Sequence, residues 1–187
     1  MDKLLINTSD KNSIEYLKNY LKDFIKPNQK INIVCIGTDR IIPDSLGPMI
    51  GTILSENIIL DNIKVVGTLQ SPLHALNFKK RIKKELQKDT LVIAIDANKG
   101  NKIGEIQIIN RPISPGKGFL KNLPSIGDVS IVGTTWERQE DIDIYDHKIR
   151  LGDIYKMSKI ISLSIILAID ELKYDTDKDL VSYNMSL

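Results

Sequence analysis

The 187-residue sequence is poor in the residue types that mark several classes of protein. It contains one cysteine, Cys35, so an internal disulfide is impossible and a reducing cytoplasm is the expected compartment. Cys35 lies inside an apolar run and is interpreted as a small buried hydrophobic residue. The net charge is only +2 at pH 7, which gives no reason to expect a nucleic acid or an anionic membrane surface as partner.

Long apolar runs are also missing. The longest, at residues 161–169, is far too short to cross a bilayer as a helix. The first sixteen residues contain no apolar stretch of the kind found in signal peptides, so we expect no signal peptide and no membrane segment. The basic stretch at residues 78–88, FKKRIKKELQK, lacks interleaved aromatic residues and is interpreted as a solvated helix face rather than a nucleic-acid site.

Three short apolar runs, at residues 31–36, 63–68 and 90–97, are typical of buried strands. They alternate with segments of helical periodicity, which predicts a parallel α/β sheet. The expected helices cover residues 13–25, 45–58, 71–89 and 152–172, with Pro72 in the first turn of the third.

The second half of the sequence adds less regular features to this pattern. Residues 102–110 alternate apolar and polar side chains, as in a half-exposed strand, and residues 129–135 predict another buried strand. Between them lies a long loop rich in proline and glycine, which is usually functional in a compact domain. We predict one domain: an N-terminal helix and turn at 1–29, an α/β core at 30–173 and a polar tail at 174–187.

Two aspartates stand where predicted strands end. Asp44 follows the first strand at the start of a helix, and Asp96 closes the run LVIAIDA. Ligands of open α/β sheets bind outside the carboxyl ends of the strands, so both carboxyl groups could face one crevice. Two close carboxyl groups share a proton, and one can then act as general base and the other as general acid.

Other interpretations of these residues remain open. Asp44 alone is more often a helix N-cap, and Asp39 suits an Asx turn of the loop. The two aspartates could instead hold a metal ion together with His74, which follows the second strand, although His74 is equally well explained by packing. Ser45 is not a convincing nucleophile, because no histidine lies near it in the sequence.

Four segments of the sequence resemble those of a known family: GTDRIIPDSLGPMIGT, GTLQSPLHALN, VIAIDANKG and SPGKGFLKNLPSIGDVSIVG. Together they resemble a family of sporulation proteins from spore-forming bacteria. That family is similar to the spore germination protease and, more remotely, to the hydrogenase maturation proteases. The resemblance covers roughly residues 30 to 170 and implies a three-layer α/β/α sandwich with a mostly parallel, mixed sheet.

The resemblance also implies roles for particular residues. In the germination protease, aspartates in a Pro-Asp-x-Leu-Gly-Pro and an Ala-x-Asp-Ala motif form the catalytic pair of an unusual aspartic-type peptidase. Residues 43–48 and 94–97 match these motifs, which assigns the two roles to Asp44 and Asp96. The later metal-binding histidine of the maturation proteases is not evident here, since His147 lies in a weakly patterned acidic region, and the propeptide of the germination protease is not recognisable.

The sequence therefore supports three hypotheses. The first is a peptidase of the developing spore's cytoplasm that needs no cofactor or metal and acts on a protein or peptide, such as a spore protein. The second is a metal-dependent hydrolase, and the third is a non-catalytic binding protein of sporulation. A homo-oligomer is compatible with each. The residues predicted to contact the substrate are Thr38, Asp39, Ser45, His74 and Gly116. Gly116 belongs to a predicted flap over the crevice.

Overall fold

The computed structural model describes residues 3–115, 123–137 and 148–174. Six strands and four helices lie in these ranges. The strands are β1 Lys3–Asn7, β2 Ile31–Cys35, β3 Ile63–Val66, β4 Leu91–Gly100, β5 Glu105–Ile109 and β6 Val129–Glu137. The helices are α1 Ser13–Lys22, α2 Leu46–Asn57, α3 Phe78–Glu85 and α4 Leu151–Tyr174, and a 3-10 turn, Ile42–Ser45, leads directly into α2.

The six strands form one mixed sheet in the order β1-β5-β6-β4-β2-β3. The four strands β3, β2, β4 and β6 run parallel, whereas β5 is antiparallel to β6 and β1 is antiparallel to β5. The predicted mostly parallel, mixed sheet is confirmed. β2 and β4 are neighbouring interior strands, so the residues that follow them lie close together at the carboxyl ends of the parallel strands.

Alternation along the strands creates two separate apolar layers. Ile33 and Ile95 point into a large core that also contains side chains of α1, α2 and α4. Val34 and Ala94 point into a smaller core on the opposite face, which contains Phe78 of α3. The predicted three-layer α/β/α sandwich is therefore confirmed, with three helices on one face and one short helix on the other.

Helix α2 packs unusually close to the sheet because glycines stand at its contact points. A Cβ atom on Gly47 would lie 2.1 Å from the carbonyl oxygen of Ile36, and one on Gly51 would lie 1.9 Å from that of Gly67. Gly67 itself has a φ of +99°, a conformation that side chains with a Cβ rarely adopt. These glycines allow α2 to pack directly against the residues that follow β2 and β3.

The structure differs from the sequence prediction at two places near the chain's first half. Residues 1–29 were expected to hold only a helix and a turn, but strand β1 precedes α1 and pairs with β5. The helix expected from residue 71 begins only at Phe78. The preceding segment is instead a loop. Arg81 of α3 donates hydrogen bonds to the carbonyl oxygens of Ser71 and Pro72 in this loop, at 2.8 and 3.0 Å.

Among the described residues, no helix combines the length and the apolar character that crossing a membrane requires. The acidic segment 138–147, the greater part of the expected flap and residues 175–187 of the expected polar tail lie outside the described residues.

Candidate active site

Asp44 lies in the 3-10 turn that connects the end of β2 to α2. Its backbone fixes the turn, because its N–H donates to Ile41 and its carbonyl oxygen accepts from the Thr38 N–H at 3.0 Å. Gly37 makes this closure possible: its φ is +144°, and a Cβ there would lie 2.1 Å from the Asp44 carbonyl oxygen. The N-cap residue of α2 is Ser45 rather than Asp44, and the Asp44 side chain is half-buried.

Asp96 lies on β4, which is paired with β2 on one side and β6 on the other. Its side chain points to the smaller core, the same face as Ala94, because strand residues two apart share a face. The backbone N–H of Ala97 donates a hydrogen bond to Asp96 Oδ1 at 2.9 Å. The carboxyl group is thus enclosed by protein on most sides and remains accessible from the carboxyl edge of the sheet.

The pKa values of both carboxyl groups lie above the ordinary range. Burial raises the pKa of Asp44 from 3.8 to about 7, and the Thr38 backbone N–H acts in the opposite direction. Burial also raises the pKa of Asp96 well above 3.8, the negative charge of Asp44 raises it further, and the Ala97 N–H opposes both. Since the Asp44 charge acts on Asp96, the two groups titrate as a coupled pair.

Both carboxyl groups line one cavity of about 520 Å³ on the thinly covered face of the sheet. Its floor is formed by β4, β5 and β6, and its apolar walls include Ile113 and Trp136. An irregularity in the pairing of β4 with β6, between Asn98 and Lys99, brings both of these residues to the cavity. Bulges of this kind often redirect side chains beside active sites.

Asn98 shares the Asp96 side of β4, two residues further along the strand. Its Oδ1 accepts a hydrogen bond from Thr134 Oγ1 at 3.1 Å, which fixes the plane of the amide at the cavity. The spacing of Asp96 and Asn98 was a usable signal, because residues i and i+2 of a strand line the same face. The sequence alone leaves open whether Trp136, at the end of a buried strand, packs in a core or contacts a substrate.

A second cavity, of about 670 Å³, adjoins the first. It lies between the loop after β2 and the loop after β3, and its lining includes Thr38 and Asp39. Asp44, His74 and Ala75 line both cavities. The two cavities therefore meet beside the Asp44 carboxyl group.

His74 is held at this junction by local hydrogen bonds. Its backbone N–H donates to Asn77 Oδ1 at 2.9 Å, and its ring Nδ1 accepts from the Leu76 N–H at 3.3 Å. Its ring Nε2 lies 3.4 Å from Asn77 Nδ2. The structure thus brings five predicted site residues to one groove: Thr38, Asp39, Asp44, His74 and Asp96.

One predicted substrate-binding residue, Ser45, is not placed on this groove. Ser45 is only 3 % exposed, and its hydroxyl donates a 2.6 Å hydrogen bond to the Ile42 carbonyl oxygen, which stabilises the 3-10 turn. Ser45 lines neither cavity. Gly116 lies outside the described residues, as does His147.

Within residues 3–115, 123–137 and 148–174, no three or more histidine, cysteine, aspartate or glutamate side chains come together in a group that could hold a metal ion. Asp44, Asp96 and His74 line one cavity without forming such a group. What the described residues show at this cavity is two carboxyl groups of raised pKa.

Comparison with known proteins identifies the family of the chain. The family described as "Protein of unknown function (DUF1256)" matches residues 5–164, and the chain belongs to that family. "Uncharacterized protein YyaC" of Bacillus subtilis (strain 168) is 45 % identical over 107 residues, 55 % of this chain and 52 % of the relative, so the chain spans about half the length of that curated relative. Among solved structures, the [NiFe] hydrogenase maturation protease HycI from Thermococcus kodakarensis KOD1 is similar at a TM-score of 0.49 and 17 % identity, over 79 % of this chain and 99 % of that one.

Proposed function

We propose that this member of the family is an aspartic-type peptidase that cleaves a protein substrate in the cytoplasm of the developing or germinating spore. The observation that carries the proposal is the pair Asp44 and Asp96, two carboxyl groups of raised pKa on one accessible cavity. The resemblance of residues 43–48 and 94–97 to the motifs of the germination protease supports the same pair and the spore setting.

The two carboxyl groups would divide the proton transfers of hydrolysis. Ionised Asp44 removes a proton from water, whose oxygen bonds to the carbonyl carbon, while protonated Asp96 donates its proton to the carbonyl oxygen. The resulting tetrahedral intermediate returns a proton to Asp96 as the carbonyl reforms. Asp44 transfers its proton to the leaving nitrogen, and the C–N bond breaks. Each carboxyl group ends the cycle in its starting state.

The remaining groove residues would position the peptide. The amide of Asn98, fixed by Thr134, lies on the same face as Asp96 and could bind the carbonyl group under attack. Thr38, Asp39 and His74 would contact the substrate on the other side of Asp44, where the second cavity lies. Contacts of this kind fix the scissile bond against the water molecule, which lowers the entropic part of the barrier.

The test is incubation of the purified protein with a spore-protein extract, followed by mass spectrometry of newly formed termini. We expect Asp44→Asn and Asp96→Asn each to lower turnover about 10²- to 10⁴-fold, the usual contribution of general acid–base catalysis. Asp61→Asn is the matched control, because Asp61 is exposed in the turn between α2 and β3. All three variants should retain the circular dichroism spectrum of the wild type.

Full activity of Asp44→Asn or of Asp96→Asn would contradict the proposal. We call Asp44 and Asp96 the dyad. Loss of activity on addition of a chelator, restored by a divalent metal, would favour the metal-dependent hydrolase instead. Absence of new termini, combined with retention of a partner from the extract, would favour a binding protein.

A further inference from the structure

We propose that the second cavity is a binding pocket for a large apolar side chain of the substrate, and that Leu76 at its rim determines this preference. The inference rests on the proposed peptidase function. It adds a substrate class: an extended polypeptide segment with a leucine-sized or aromatic side chain close to the cleaved bond.

The position of the pocket follows from the order of the strands. The first cavity lies over β4, β5 and β6, and the second lies between the loops that follow β2 and β3. Between β6 and β3 lie three strand spacings, about 14 Å in total, which an extended peptide of about four residues spans. Such a peptide crosses the strand ends with its middle beside Asp44, so one of its side chains enters the second cavity.

Five of the eleven residues that line the pocket are apolar, and they give it a mainly apolar surface. Its apolar members are Ile41, Leu69, Pro72, Ala75 and Leu76. Leu76 is 83 % exposed, although most large apolar side chains in the described part of the chain are covered. An exposed leucine at the rim of a cavity beside a dyad is explained if it packs against the substrate, because burial of that surface favours binding.

The loop that carries Leu76 is fixed before any substrate binds. Arg81 donates hydrogen bonds to the carbonyl oxygens of Ser71 and Pro72, and Asn77 Nδ2 donates to the Pro72 oxygen at 3.0 Å. On the other side of the loop, the Leu69 N–H donates to Thr52 Oγ1 at 2.9 Å. A prearranged pocket selects side chains by shape, because little conformational freedom is lost when the peptide binds.

A second exposed apolar side chain, Ile59, provides a matched control for Leu76. Ile59 is 90 % exposed and lies between α2 and β3, at the opposite edge of the sheet from the dyad. Neither Leu76 nor Ile59 is packed in a core, so substitution of either by serine should leave the thermal unfolding temperature unchanged.

The experiment profiles a peptide library prepared from a bacterial proteome, with cleavage sites read by mass spectrometry. We expect the wild type and Ile59→Ser to prefer a large apolar residue at one fixed position near the cleaved bond. Leu76→Ser should lose that preference and show kcat/KM values on the order of tenfold lower on preferred peptides. Leu76→Met, which keeps an apolar side chain of similar size, should restore the preference.

The outcomes separate this inference from the function on which it rests. Cleavage by the wild type with the same profile and kcat/KM in Leu76→Ser would overturn the pocket and leave the peptidase intact. A preference that changes equally in Ile59→Ser would also overturn it. Absence of cleavage by the wild type, across the library and the spore extract, would overturn both.

Discussion

The carboxyl group of Asp96 follows three completely buried residues, Ile93, Ala94 and Ile95, on a central strand. An acid at such a position is stable only when it is protonated, paired or hydrogen-bonded. Here it is accompanied by Asp44, whose charge makes ionisation of Asp96 harder still. The arrangement therefore disfavours ionisation of both groups at once.

The dyad predicts the pH dependence of turnover. Asp44 must be ionised to act as base, so kcat/KM should rise as the pH increases through about 7. It should fall again where Asp96, whose pKa is also raised, loses its proton, which gives a bell-shaped profile. Because both pKa values are raised, we expect the pH of maximal kcat/KM to lie above the acidic optimum of a carboxyl pair with ordinary pKa values. Measurement of kcat/KM from pH 4 to 10 checks this, and a plateau from pH 4 to 6 would contradict it.

The same pKa predicts how stability depends on pH. Between pH 3.8 and about 7, folded Asp44 holds a proton that the unfolded chain has lost, so the free energy of unfolding falls as the pH rises through that window. A difference of about three pH units corresponds to at most about 4 kcal/mol. Asp44→Asn removes this dependence.

We therefore expect Asp44→Asn to be more stable than the wild type at pH 8, and the difference to disappear near pH 4. Urea unfolding at both pH values measures it. Asp61→Asn should show no comparable difference between the two pH values, and an equal gain in Asp61→Asn would assign the effect to net charge instead.

Sequence reasoning located the two aspartates because each stands at a predictable strand end, and the structure places both on one cavity. Their catalytic role stays a prediction. Ser45 illustrates the limit of this reasoning: the hydroxyl next to Asp44 is used by the 3-10 turn, and only coordinates reveal its bond to Ile42. The contribution of Trp136 was equally invisible, since a residue at a strand end can line either a core or a cavity.

Helix α2 determines where Asp44 is held. Its first turn lies against the end of β2 because Gly47 leaves room for the Ile36 carbonyl oxygen, to which a Cβ would lie only 2.1 Å away. Backbone atoms cannot give way as a flexible side chain can. Any side chain at residue 47 must therefore displace the helix, and Asp44 with it.

Gly47→Ala is consequently expected to lower both the unfolding temperature and kcat. Gly152→Ala provides the control, since nothing lies within 4 Å of a Cβ at that position of α4 and alanine favours helix. Its unfolding temperature should be equal to that of the wild type or slightly higher. Differential scanning calorimetry and the cleavage assay test the pair, and wild-type values for Gly47→Ala would contradict the proposed close contact.

The helices themselves were predicted well where periodicity is long. The spacing predicted α4 over residues 152–172, and it spans Leu151–Tyr174. α3 was predicted too early because Ser71 and Pro72 form an attractive helix start. The structure uses these residues as acceptors for Arg81 instead, an interaction between residues ten apart that local patterns do not show.

The sheet is completed by a strand that the sequence did not indicate. β1 follows no clear alternation, yet it covers the edge of β5 and places Ile6 in the large core, while Leu5 is 51 % exposed on the other side. Pairing between the start of the chain and residues one hundred positions later depends on tertiary contacts, which composition and periodicity cannot specify. The parallel centre was predictable, because its strands alternate with helices.

Ile6→Ala should therefore lower the free energy of unfolding by about 2–4 kcal/mol, as large-to-small substitutions in cores usually do. Leu5→Ala should change it by less than about 0.5 kcal/mol, because most of that side chain is already in solvent. Chemical denaturation of the two variants side by side measures both. Equal stability of the two would show that β1 contributes little to the core.

The groove is built on the side of the sheet that carries only α3 and connecting loops, away from the large core shared by α1, α2 and α4. Folding and recognition thus draw on largely different sets of residues. Natural variation in the loops could redirect the protein to another polypeptide without disturbing the layer that keeps it folded. Under the proposed function, relatives of this chain are expected to be similar in the large core and to differ in the loops around the groove, where each would contact its own substrate.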